Sequence, residues 1–274
     1  FKASDFLTIA KSAIFPDGTT VTSQVWFVMP LRKSAGAVYA LEGYLRPDTY
    51  DFFASDDATA IIKALLTQFG NNLCPGTADY AASEALCKAH PATIGSKSIF
   101  TLLEQKYFTT NDQLALYEAL TLASIAEREV TQSVPDIQGV TDVLYNRWLV
   151  SLNKYPNPPA NSPGSLGADP TAQYARDTDH PPTNGVWWAP LNGNAATIDP
   201  NSPYNTDNTA HAGLPPGPIS APEWANHLPD AINVSTTQYF YYWASCQGGK
   251  NTIYYATTLD QANQMQATHP PTTC

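Results

Sequence analysis

The chain has 274 residues, with 14 Lys and Arg against 24 Asp and Glu, a net charge of −10 and a pI near 4.7. That balance, with no Lys/Arg cluster, excludes a nucleic-acid or anionic-membrane surface and makes a neutral or cationic polymer the easier partner. Charged residues make up only 14% and there are 23 prolines, the profile of a loop-rich extracellular surface, in a chain long enough to bury a sizeable core.

Four cysteines, Cys74, Cys87, Cys246 and Cys274, lack the Cys-x-x-Cys spacing of a zinc or redox site. Of the three possible pairings, Cys74 with Cys87 and Cys246 with Cys274 is expected, because the first pair brackets one short polar segment. Disulfides place the chain in an oxidising compartment; free buried thiols are the alternative. The five histidines are scattered without ligand spacing, so no metal site and no cofactor are expected. No apolar run of roughly 18 residues and no signal-peptide pattern occurs.

In chain order, Asp5 to Ala13 carries a short helical pattern, and Val21 to Met29, after the turn Pro16-Asp17-Gly18, alternates as a strand does. Leu41 to Tyr50 (LEGYLRPDTY) is an extended, turn-rich segment, and Ala58 to Phe69 an amphipathic helix. Asn71 to His90, bracketed by cysteines, is expected to be an irregular surface excursion. The central helix opens at Thr110-Asn111-Asp112-Gln113, a capping-box pattern with Thr110 as cap and Gln113 returning the bond. In it Leu116, Leu120, Ala123 and Glu127 recur at steps of four, three and four, so they share one face. It ends near Val130, ahead of Pro135.

Glu127 therefore stands in the last turn, in register with an apolar stripe. The helix dipole and burial both favour its protonated form there, which suits a general acid. Glu129 lies about 200° around the helix from it and is assigned a supporting role. A salt bridge, for instance to Arg147, is the plain structural alternative for Glu127.

The next helix is capped by Asp136 and runs through Ile137, Val140, Leu144 and Trp148, with Asn146 and Arg147 near its end. Long Pro/Asn-rich loops follow at Leu152–Gly167 and Asp177–Pro203, the second holding Trp187-Trp188. Between them Asp169 reads as an N-cap acid before Pro170, opening a short helix through Tyr174. A helix from Ala221 to Asn233 and two strands, Gln238–Ser245 and Thr252–Thr257, turning at Gln247–Lys250, complete an α+β chain. Residues 1–105 form a mixed N-terminal portion and 106–274 the catalytic portion, expected to be one continuous domain.

Several stretches, taken in order, resemble the endolytic murein transglycosylases of the YceG-like (MltG-type) family. They are LEGYLRPDTY at Leu41–Tyr50, LASIAERE at Leu122–Glu129, Tyr145-Asn146-Arg147, Asp169-Pro170-Thr171 with Tyr174, Ser202-Pro203-Tyr204-Asn205-Thr206, GLPPGPI at Gly213–Ile219, and Tyr239–Ala244 before the hairpin. The resemblance implies a YceG-like catalytic domain with a buried catalytic helix, cleft loops and a C-terminal β-hairpin. It also implies cleavage of the MurNAc-β-1,4-GlcNAc bond with 1,6-anhydro-MurNAc ends, Glu127 being the single general acid/base.

Under that resemblance Asp169, Thr171, Tyr204, Asn205, Thr206 and Glu42 are the candidate substrate contacts, and Glu129, Asn146 and Arg147 support them. The implied partners are peptidoglycan glycan strands, with peptidoglycan synthases as candidates beside them and no nucleic acid. The implied location is the bacterial cell envelope, outside the cytoplasm, with anchoring by an N-terminal membrane helix that precedes Phe1. Where the family has His in the last strand and an acid-His pair after it, this chain has Ile253, Gln261 and Ala262. A lysozyme-like muramidase using Glu127 with Asp169, or a non-catalytic glycan-binding protein, are the competing readings.

Overall fold

The computed structural model describes residues 2–77, 81–130, 136–225, 227–272 and 274. In chain order its helices and strands are α1 (Ala3–Ser12), α2 (Val21–Gln24), α3 (Ala58–Leu73), α4 (Glu84–Ala89), β1 (Thr93–Ile94), β2 (Lys97–Ser98), α5 (Ile99–Tyr107), α6 (Asp112–Glu129), α7 (Ile137–Ser151), α8 (Asp169–Asp179), α9 (His227–Ile232), β3 (Tyr241–Gln247), β4 (Lys250–Ala256) and α10 (Leu259–Gln266). Mixed helix and sheet, with two small antiparallel ladders, is the α+β class read from the sequence. Pro135, expected to stop the central helix, lies outside the described residues, as do residues 78–80 of the cysteine-bracketed segment. No helix among the described residues is long and apolar enough to cross a membrane.

Contacts divide the chain into two compact units, each discontinuous in sequence: Phe1–Ser124 with Pro216–Asn233, and Ile125–Pro215 with Val234–Cys274. The division falls inside α6, whereas the sequence reading divides the chain near residue 105.

The first unit is built on aromatic packing. Phe27 and Phe69 have ring centroids 5.2 Å apart, Tyr44 stands edge-on to Phe69 at 5.5 Å, and Tyr117 stacks on Tyr44 at 6.4 Å. The LEGY stretch serves this core: Tyr44 is fully buried and its hydroxyl accepts the Met29 N–H at 3.0 Å. Gly43 has φ +88°, and a Cβ there would lie 2.7 Å from Pro218 and 2.8 Å from Leu120. Only glycine fits that turn. In the GLPPGPI stretch, Gly217 likewise makes room for the Tyr117 hydroxyl, which donates to the Pro216 carbonyl at 3.1 Å.

Four local expectations for this unit are corrected. Val21–Met29 is not a strand: Val21–Gln24 is one helical turn that places Val21 and Val25 in the core, and among the described residues the segment has no ladder partner. The cysteine-bracketed piece is partly helical, with Ser83 capping α4 and both Cys74 and Cys87 buried and bonded. In α6 the cap is Asn111, whose Oδ1 accepts the Leu114 N–H at 3.0 Å. Gln113 does not return a capping bond; its amide donates to the Trp26 and Val28 carbonyls at 2.6 and 2.9 Å. Finally, the described helix α9 is His227–Ile232, shorter than the expected Ala221–Asn233, and Pro222 disfavours a helical Ala221 before it.

The second unit carries α7, α8, α10 and the hairpin of β3 and β4, whose register runs from Tyr241↔Ala256 to Gln247↔Lys250. Gly248 and Gly249 make its turn at φ 58° and 77°, the left-handed pair that a two-residue hairpin loop requires. Cys246 and Cys274 are bonded as expected, tying the C-terminus to β3. Thr258 caps α10 by accepting the Gln261 N–H at its Oγ1, and the Gln261 side chain accepts the Thr257 N–H ahead of the cap. Ala262 packs with Trp243 and Ala256, and Ile253 pairs with Ala244 in the ladder.

Candidate active site

The last turn of α6 places two acids in the second unit. Leu116, Leu120 and Ala123 are fully buried, as the stripe requires, while Glu127 itself is half-buried and makes interactions of its own. Glu129, the last residue of α6, is half-buried as well. Although Glu129 retains some surface, desolvation pushes its pKa from the ordinary carboxylate value to about 7. The negative charges of Asp169 and Asp207 push in the same direction. The Tyr242 hydroxyl, which donates a hydrogen bond to Glu129, and the Arg147 guanidinium oppose them.

Asp207 is similarly displaced, to about 6, by desolvation first and by Asp169 second, with Arg147 again opposing. Its Oδ2 is buried with no hydrogen-bond partner among the described residues. Tyr242 is held well above the ordinary phenol range, by burial and then by the charge of Glu129, so it stands as a permanent donor. Glu129 and Asp207 therefore share the field of one guanidinium, with the charge of Asp169 acting on both.

Arg147 is fixed by the fold. On α7, it donates from Nε to the Phe240 carbonyl at 2.8 Å and from Nη1 to the Leu166 carbonyl, and its guanidinium lies 5.7 and 5.8 Å from the Tyr241 and Tyr242 ring centres. Asn146 beside it donates to the Thr237 and Tyr239 carbonyls at 3.0 and 2.7 Å. Both side chains are buried and anchor the strand that delivers Tyr242. The helix itself starts as expected, with Asp136 Oδ1 accepting the Gly139 N–H at 2.9 Å.

Asp169 is the first residue of α8 rather than its cap; Ala168 occupies the cap position without a side-chain bond, and the helix continues past Tyr174 to Asp179. Pro170 at the helix start and the Thr171 hydroxyl, donating to the Ala168 carbonyl at 2.7 Å, make this possible without an acidic cap. Asp169 is thereby free of capping duty and lies within electrostatic reach of both Glu129 and Asp207.

The other candidate contacts, Glu42 apart, are buried within the second unit. Thr171 and Thr206 are fully buried with their hydroxyls 2.7 Å apart, and Thr171 Oγ1 accepts the Thr206 N–H at 3.0 Å. Asn205, also buried, donates to the Ala195 and Ile198 carbonyls, and Tyr204 packs on Tyr174 at 4.7 Å. Their polar groups are occupied by protein, which holds the 195–207 loop in place and positions Asp207. Glu42 is half-buried in the first unit. Sequence reasoning passed over Asp207 and Tyr242. The available signals were an acid directly after Tyr-Asn-Thr and a strand whose alternation sets Tyr242 apart from the core-facing Trp243. Among the described residues, no group of three or more His, Cys, Asp or Glu side chains is arranged to hold a metal ion.

Comparison with known proteins finds relatives of the whole chain. The profile described as the YceG-like family matches residues 6–268. Two proteins of Streptococcus pneumoniae strains, each named endolytic murein transglycosylase, are 28% and 27% identical over 244 residues, covering 86% of this chain and 34% of their own. The chain thus spans about a third of the length of these relatives. A crystal structure of a YceG-like protein from Listeria monocytogenes is similar with a TM-score of 0.63 at 25% identity, covering 97% of this chain and 68% of that one. With nearly the whole chain matched and the fold shared, this protein belongs to the YceG-like family.

Proposed function

We propose that the chain is a lytic transglycosylase that cleaves the β-1,4 bond after N-acetylmuramic acid in peptidoglycan, leaving 1,6-anhydro ends, and that Glu129 rather than Glu127 is its acid/base. The names of the pneumococcal relatives support the substrate and reaction class. The observation that carries the residue assignment is the Glu129 carboxyl, poised at about 7 within the Tyr242, Arg147, Asp169 and Asp207 cluster. A group with that pKa is divided between its acid and base forms at neutral pH, and this mechanism needs both in turn.

Glu129 first gives its proton to the departing glycosidic oxygen as the bond to the muramoyl anomeric carbon breaks. The resulting carboxylate, stabilised by the Tyr242 hydrogen bond and by Arg147, then takes the proton of the muramoyl C6 hydroxyl as that oxygen closes on the anomeric carbon. One carboxyl serves both steps and ends as it began. The neighbouring Asp169 and Asp207 give a second reading some footing, since a carboxylate beside a protonated acid is also the equipment of a muramidase.

Glu129→Gln is expected to lower muropeptide release from purified sacculi by about 10²- to 10⁴-fold, and Glu127→Gln by less than tenfold. Mass spectrometry of the products separates the two chemistries. Anhydro ends support the transglycosylase, whereas reducing ends overturn it in favour of hydrolysis. Peptidoglycan synthases as partners and a location in the cell envelope belong to the same proposal.

A further inference from the structure

The loop that follows α8 is anchored to both helices that supply the acids of the proposed site. Trp188 is held at φ 63°, a left-handed conformation rare for an aromatic residue and one that persists only where the surroundings impose it. Asp177 Oδ2 accepts the Trp188 N–H at 2.6 Å, and Arg176 and Gln173 donate to the Ala189 carbonyl at 2.9 and 3.2 Å; all three side chains come from α8. From α6, the Arg128 guanidinium lies 4.1 Å from the centre of the Trp188 indole. Arg128 stands between Glu127 and Glu129, so the loop is pinned at the residue next to the proposed acid.

Anchoring accounts for Trp188 and leaves its neighbour unexplained. Trp187 is 43% exposed and Val186 54% exposed, an adjacent apolar pair on the surface of the loop. The approach to them is stiff: Gly185 N–H bonds to the Pro182 carbonyl at 3.1 Å and Val186 N–H to Asn184 Oδ1 at 3.0 Å. An indole presented on a backbone already ordered loses little entropy when a ligand covers it. The net charge of −10 disfavours an anionic stacking partner such as a nucleic-acid base, whereas the C–H face of a β-1,4-linked N-acetylhexosamine is apolar and uncharged.

We propose that Trp187 is a stacking subsite for an N-acetylhexosamine ring of the glycan strand, held beside the acid site by the clamp of Arg128, Asp177 and Arg176 on the 180–203 loop. This rests on the glycan-cleaving reading above. The test measures binding of the whole chain, as wild type, Trp187→Ala and Trp187→Phe, to glycan strands stripped of stem peptides, alongside product release. Trp187→Ala is expected to weaken binding about tenfold and to raise KM more than it lowers kcat. Trp187→Phe should stay within about threefold, with equal melting temperatures for all three. Binding by Trp187→Ala equal to wild type overturns the subsite, and so does equal loss in the alanine and phenylalanine variants. Trp187-dependent binding without any product would sink the cleavage reading and leave the subsite standing. A wild type that neither binds nor cleaves removes both.

Discussion

The two units of this protein put their motifs to opposite uses. In the first, LEGY and GLPPGPI are packing devices: Tyr44 completes an aromatic core, and Gly43 and Gly217 clear space that a Cβ would fill. In the second, the matching stretches bury polar groups instead, with Asn146, Arg147, Thr171, Asn205 and Thr206 all inside and hydrogen-bonded to backbone. Apolar interiors are stable by themselves. A polar interior is stable only while every member is satisfied, so it is the place where an unsatisfied charge can be kept for chemistry.

The largest expected effect that tests this contrast is at the centre of the polar interior. Arg147→Met removes the donor to two carbonyls and a cation that acts on both Glu129 and Asp207, and is expected to cost about 3–5 kcal/mol in denaturant unfolding. A loss below 1 kcal/mol would mean that the carboxyl cluster is not balanced by this residue. In the first unit the counterpart is Gly43→Ala, which forces a Cβ into contacts of 2.7–2.8 Å at φ +88°. It is expected to cost about 2–4 kcal/mol without changing the pH dependence of whatever activity survives.

The smallest effect is a pH dependence of stability belonging to the second unit. Glu129 and Asp207 have folded pKa values of about 7 and about 6, above those of the unfolded chain. A raised folded pKa makes a stabilising contribution that is fully present below the unfolded value and is lost as pH rises through the folded one. Between about pH 4 and pH 7 the melting temperature should therefore fall. Glu129→Gln should remove about 2 kcal/mol of that slope, making the variant the more stable protein at pH 8. A wild-type curve that is flat across this window would remove the desolvated acid from the account.

Much of the scaffold was legible because it depends on local chemistry. The α6 stripe, the Asp136 cap, the Gly-Gly hairpin turn and both cysteine pairings follow from spacing, capping and chain proximity. The Val21–Met29 segment misleads because alternation of β-branched residues records burial and does not supply a ladder partner. Gln113 misleads for a related reason: a capping glutamine and one that ties a helix to the Trp26 and Val28 carbonyls look alike until the fold brings those carbonyls near.

The same distinction governs the acids at the end of α6. Periodicity singled out Glu127, since it continues the apolar stripe, and assigned Glu129 a supporting role. Sequence by itself determined the helix, its end and the pair of candidate carboxyls there, because helical spacing and caps act over a few residues. Only the tertiary structure decided how the Glu129 proton is held, because the groups that act on it, Tyr242, Arg147, Asp169 and Asp207, come from β3, α7, α8 and a loop far away in the chain. Electrostatic environment is a sum over neighbours in space, and the order of residues in a chain does not carry it.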